Sequence, residues 1–157
     1  MTKRNKKASR NDNLIVFSHE HHHGLIFCNR LKKAAHIDDE TVSRYIIDFW
    51  DNYLDLHFKN EEIGFLPHLV KEGLTLQFIN EHKQINKLVD EIKSGKGKIK
   101  AQALALSKLI HDHIRFEERE FFPWLEKELT DNQLESIGLL LNDTEVSAHD
   151  FSPAFWI

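Results

Sequence analysis

The chain has a single cysteine, Cys28, in 157 residues, so no internal disulfide can form, and a lone thiol fits a reducing compartment. Proline and glycine are also scarce, three and six residues, which leaves little material for turn-rich β architectures and favours long helices. No apolar run approaches the roughly 18 residues that would span a bilayer. The basic start (Lys3, Arg4, Lys6, Lys7, Arg10) is not followed by the apolar stretch of a signal peptide. Residues 1–11 therefore read as a basic flexible tail, residues 12–157 as one domain, and the expected location is cytoplasmic. A net charge of −4 argues against nucleic acid as the principal partner, and no membrane partner is expected. There is no phosphate-binding glycine loop, no cysteine pair and no separate nucleophile or general-base motif. Catalytic residues and an organic cofactor are thus not assigned, and whether the protein is an enzyme stays open.

Histidine, by contrast, is abundant: eleven residues, four of them crowded at His19, His21, His22 and His23. An eleven-residue phrase also occurs twice. His57, Glu61, Glu62, Phe65 and Pro67 have the same spacing as His113, Glu117, Glu118, Phe121 and Pro123. On a helix, a histidine and a glutamate four residues apart share one face. Each copy can therefore aim an imidazole and a carboxylate at one point.

The rest of the pattern is helical. A first helix is expected from Asp12 or Asn13 to about Ala35, with apolar positions Leu14, Phe17, Leu25, Cys28 and Leu31. Asp38 and Asp39 are good N-caps for a second helix, which carries Val42, Ile46, Phe49, Trp50, Tyr53 and Leu54, kinks at Pro67 and stops near Gly73. A third helix spans about Thr75 to Lys93, and residues 94–98 form a loop. The fourth helix carries Ala101, Leu104, Leu106, Leu109 and Ile110, then the second copy, with Pro123 at the matching kink. Thr130 and Gln133 form a capping box that opens a short fifth helix to about Leu141, followed by an irregular tail lying across the bundle. The fold class is all-α: an antiparallel up-down-up-down four-helix bundle with a short fifth helix and an irregular C-terminal tail. The alternative is a pair of helical hairpins that completes its core as a homodimer.

Core periodicity then selects the inward polar residues. The stripes run Leu14, Phe17, His21, Cys28, Leu31; Ile46, Trp50, Tyr53, His57, Glu61; Phe78, His82, Ile85, Val89, Ile92; and Leu106, Ile110, His113, Glu117, Phe121, Trp124. Four helices each place one histidine inward, and two of them add a glutamate. One isolated core histidine is ordinarily satisfied by hydrogen bonds, but unpaired buried carboxylates are costly and repel each other. A cation removes both penalties, which favours metal over a buried hydrogen-bonded His/Glu network. His19, His22, His23, His36, His68, His111 and His149 fall off the stripes, with His22 and His23 the first substitutes should the phase differ. Glu62 and Glu118 are expected to hydrogen-bond ligand imidazoles.

Four imidazoles and two carboxylates without thiolate are too many for one tetrahedral zinc, and too nitrogen-rich for magnesium or calcium. Two octahedral ions sharing carboxylates fit best, which favours iron, with manganese or zinc substitution possible.

Over Asn13 to Leu129 the chain resembles the hemerythrin-like family, also called the HHE cation-binding domain. The likeness rests on Glu20-His21-His22-His23-Gly24-Leu25, on the two repeated phrases and on Glu81-His82 between them. It implies a non-haem di-iron centre: His21 and His57 serving one iron, His82 and His113 the other, Glu61 and Glu117 bridging, and an oxo or hydroxo group between the metals. Small ligands such as O2 or NO would be its partners, in binding or sensing, or in sensing iron itself. The alternatives are an oxidase- or peroxidase-like enzyme, or an iron donor in repair of iron–sulfur centres. Two departures separate it from the oxygen-carrying members. The residues four before and four after His82 are Phe78 and Asn86, not histidine, and the fourth helix has glutamate four after its histidine rather than aspartate five after. With two histidines for each ion, efficient reversible O2 storage is not expected.

Overall fold

The computed structural model describes residues 9–141, 146–147 and 150–157; the regular structure among them is all helical, with no strand, and ends at Leu141. The helices are α1 (Ile15–Leu31), α2 (Asp39–Phe49), α3 (Asp55–Phe65), α4 (Leu74–Lys93), α5 (Ile99–Phe116), α6 (Phe122–Glu128) and α7 (Asp131–Leu141). A π-helical turn, Trp50–Leu54, joins α2 to α3, and a second, Glu117–Phe121, joins α5 to α6. The bundle therefore has four rods, α1, α2–α3, α4 and α5–α6, with α7 packed across one end. No described helix is long and apolar enough to cross a membrane.

Local chemistry explains most of the boundaries. Asp38 caps α2 by accepting the Thr41 N–H at 2.9 Å. Thr130 and Gln133 close the reciprocal capping box before α7, at 3.1 and 2.9 Å. Gly73 precedes α4 with φ +55°, a backbone that a side chain would strain. α1 is shorter than its periodicity implies, because residues 32–35 have already turned out of the helix.

Three expectations are corrected. The second rod does not kink at Pro67 and run on to Gly73. It ends at Phe65, passes through a 3-10 turn, Leu66–His68, and leaves as extended chain at Leu69. Pro123, by contrast, is accommodated within the fourth rod without ending it, as the second residue of α6 directly after the π turn. Leu25 and Leu104 point to solvent, 38% and 57% exposed, while Gly24 and Ala103 take the inward positions beside them. Trp124 is only half-buried, and Leu125 is fully buried instead. The π turn at Glu117–Phe121, closed by the Phe122 N–H on the Glu117 carbonyl, takes one extra residue and moves the inward phase on by one.

Two apolar clusters fill the bundle. One gathers Phe27, Leu31, Tyr45, Ile46, Ile85, Val89 and Leu106; the other gathers Phe17, Phe65, Phe78, Phe121, Phe122 and Leu125. Each rod passes from one cluster to the other through a single polar level: Phe17–His21–Phe27, Phe58–Glu61–Phe65, Phe78–His82–Ile85 and Ile110–His113–Phe116. The C-terminal residues cover the first cluster, with Phe151, Phe155 and Trp156 against Tyr45 and the Arg30 guanidinium 3.8 Å over the Trp156 ring. Of the basic stretch at the start, residues 1–8 lie outside those described, as does His149, while Arg10 and Asn11 rest against Glu118 and Glu126.

Candidate metal centre

The polar level holds the six residues that the stripes select. His21, His57, Glu61, His82, His113 and Glu117 are all buried, with Glu61 and Glu117 fully so. His19, His22 and His23, on the same helix as His21, face solvent.

The four Nε2 atoms turn inward on the two carboxylates. His57 Nε2 lies 3.2 Å from Glu61 Oε2, and His113 Nε2 lies 3.1 Å from Glu117 Oε2, each pair one helical turn apart. The carboxylates also reach across: Glu61 to His82 at 3.2 Å and to His21 at 3.5 Å, Glu117 to His21 at 2.8 Å and to His82 at 3.9 Å. Two groups of four result, His21/His57/Glu61/Glu117 and Glu61/His82/His113/Glu117, each with its ligand atoms within 4.8 Å of one another and able to hold a metal ion. Both glutamates belong to both groups.

Among the described residues, seven buried side-chain polar atoms lack a hydrogen-bond partner. Four of them are here: His57 Nε2, Glu61 Oε2, His113 Nε2 and Glu117 Oε2. Orphaned lone pairs at this depth cost free energy unless something accepts them, and a cation at the centre does so. The residues fit the metal.

The outer face of each imidazole is equally defined. His21 Nδ1 meets Glu118 at 2.6 Å, His57 Nδ1 meets Glu20 at 2.6 Å, His82 Nδ1 meets Glu62 at 2.6 Å and His113 Nδ1 meets Glu81 at 2.7 Å. An ionised carboxylate can only accept, so Nδ1–H donates outward and Nε2 is the nitrogen offered to the centre. Glu62 and Glu118 take the place expected of them; Glu20 and Glu81 were not singled out for it. Their signal is a Glu-His pair that itself recurs, Glu20-His21 and Glu81-His82. Every one of these bonds crosses between rods.

Electrostatics follow from this crowding. Burial pulls His57 down, but the nearby Glu61 charge and the bond to Glu20 outweigh it and hold the imidazole at about 9. His21, His82 and His113 are likewise raised against burial by their carboxylate partners. Burial and the Glu117 charge push Glu61 up, yet His57 and His21 bring it net down to about 2. In the metal-free protein the imidazolium charges thus substitute for a cation. Phe58 and Phe78 pack on His82 at ring distances of 4.5 and 4.2 Å, and Phe122 stacks on His21 at 5.5 Å, keeping the level dry.

A family model described as the hemerythrin HHE cation binding domain matches residues 12–125. No curated protein and no solved structure matches the chain.

Proposed function

Because the chain belongs to the hemerythrin HHE cation-binding family, we propose that it holds two iron ions side by side and binds or senses a small ligand such as O2 or NO there. His21 and His57 would hold one ion, His82 and His113 the other, and Glu61 and Glu117 would be shared. The observation that carries this reading is the pair of four-residue groups with both glutamates in common. Bound iron would supply exchangeable coordination positions and a redox couple. The chain's own residues do the rest. Glu20, Glu62, Glu81 and Glu118 fix each ring by accepting its Nδ1–H, and the surrounding phenylalanines exclude water. Manganese or zinc would find the same donors acceptable. Equal histidine supply to the two positions favours reaction or sensing over reversible storage.

Protein purified anaerobically with iron should carry about two ions per chain by metal analysis. Glu61→Ala and Glu117→Ala should each abolish paired binding, since each side chain serves both positions. Full occupancy in both variants would remove the shared-carboxylate assignment, and a single tetrahedral zinc held by histidine alone would overturn the paired reading.

A further inference from the structure

The six inner residues are close to two-fold symmetric, but their supports are not. Behind His21, the Glu118 carboxylate accepts the Ser18 hydroxyl at 2.7 Å and the Arg10 guanidinium at 3.2 Å. Arg10 also donates to the Glu118 carbonyl at 2.9 Å, pairs with Glu126 at 3.4 Å and lies 5.4 Å over the Phe122 ring. Behind His57, the buried Glu20 uses its second oxygen to accept the main-chain N–H of Val146 at 3.0 Å. Residues before α1 and after α7 thus close over the same half of the site.

Among the described residues, the other half has no such supports. Behind His113, the second oxygen of Glu81 accepts, among the described residues, from Gln77 alone, an exposed residue one turn earlier on its own helix, at 2.9 Å. Behind His82, the Glu62 carboxylate has no partner but His82 among the described residues, and its side chain is 40% exposed. A cavity of about 710 Å³ runs along this side, lined by Glu62, Leu66, Ile79, His82, Lys83 and Asn86 among others.

We infer that the metal position held by His82 and His113 is the exchangeable one, entered from this cavity, and that the position held by His21 and His57 is locked by the two terminal segments. The inference rests on the paired-metal reading above. An ion leaves or accepts a new ligand when an imidazole swings aside, and the ring must first break its Nδ1–H bond. Where the accepting carboxylate is itself tied to another segment, ring and carboxylate cannot move together. Where it has no second tie and lines an open cavity, they can. A small molecule arriving from solvent therefore meets the His82 side first.

Chelator stripping tests this without measuring turnover. The full chain, loaded with about two cobalt(II) ions and assayed for metal content, is mixed with excess EDTA while the cobalt absorption is followed. Two phases are expected, one ion each, with rate constants at least about tenfold apart, the scale on which partners behind metal ligands act. Arg10→Ala should quicken the slow phase alone, and Ser18→Ala should do the same by removing the other bond to Glu118. Lys83→Trp, at an exposed wall position, should narrow the cavity mouth and slow the fast phase alone. Release of both ions in one phase overturns the inference while leaving the paired site intact, as does an Arg10→Ala variant that quickens only the fast phase. Fewer than two ions bound before chelator is added overturns the paired reading and this inference with it.

Discussion

At the scale of single residues, the placement of protons decides how the site takes up metal. Nδ1–H donates outward at each histidine, so the proton displaced by a cation is the one on Nε2. His57 is held at about 9 before metal binds, above its ordinary 6.5. Metal affinity should therefore climb with pH up to about 9, as protons cease to compete, and level off above. Calorimetric titrations with manganese(II) in buffers of different ionisation enthalpy would show protons released over that window; uptake without proton release at pH 7 would contradict it. The inward histidines and glutamates were legible in the sequence because burial leaves a period that can be counted. Glu62 and Glu118 were legible because they repeat beside Glu61 and Glu117. Glu20 and Glu81 carried a signal, the recurring Glu-His pair, but their role was not read from it, because neither follows an inward glutamate and no spacing along the chain reports which rods are neighbours.

Elements show the same division between what local rules settle and what contact settles. Asp38 and the Thr130–Gln133 box mark helix starts with side chains that satisfy orphan N–H groups, and both were readable. The π turns were not, since nothing in Trp50–Leu54 or Glu117–Phe121 breaks helical propensity; only the packed structure reveals the extra residue. The two proline copies diverge for a similar reason, one ending its rod and the other opening α6. Gly24 is a further contact-determined position, buried in α1 where a Cβ would stand 3.0 Å from the Ile114 Cδ1 of α5. Alanine there should be close to neutral in chemical denaturation. Its helix propensity, worth about 1 kcal/mol over glycine, is offset by crowding against a methyl that can yield a little. Gly24→Val cannot be absorbed in that way and should cost about 1–3 kcal/mol, the usual range for overpacking. A valine variant as stable as the parent would show that α1 and α5 can separate at this level.

For the whole molecule, metal and folding are coupled. Without metal, the buried carboxylates are balanced by imidazolium charge, and the sign of the pH dependence follows. His57 is raised in the fold, so its stabilising contribution is full below 6.5 and disappears as pH rises through about 9. Glu61 is depressed to about 2, so its contribution is present above the ordinary 4.5 and is lost as pH falls toward 2. The metal-free bundle should accordingly be firmest between about pH 4.5 and 6.5 and weaken toward pH 9, while the metal-loaded form gains over the same rise. Urea midpoints for both forms at pH 6 and pH 9 test this; a metal-free midpoint that does not move would show that the histidines carry no such load. The ring of outer carboxylates has one more effect, on topology. Glu20 of α1 reaches His57 on the second rod, Glu62 reaches His82 on the third, Glu81 reaches His113 on the fourth, and Glu118 returns to His21 on α1. On the first and third rods the reaching glutamate stands one residue before the inward position; on the second and fourth it stands one residue after. Because successive rods run in opposite directions, those two offsets turn the same way about the bundle axis. Apolar stripes alone are equally content with a clockwise or an anticlockwise circuit of helices. In the opposite circuit, all four glutamates would face away from the rod that follows and leave every Nδ1–H without its acceptor, so these four side chains select the hand in which the chain winds.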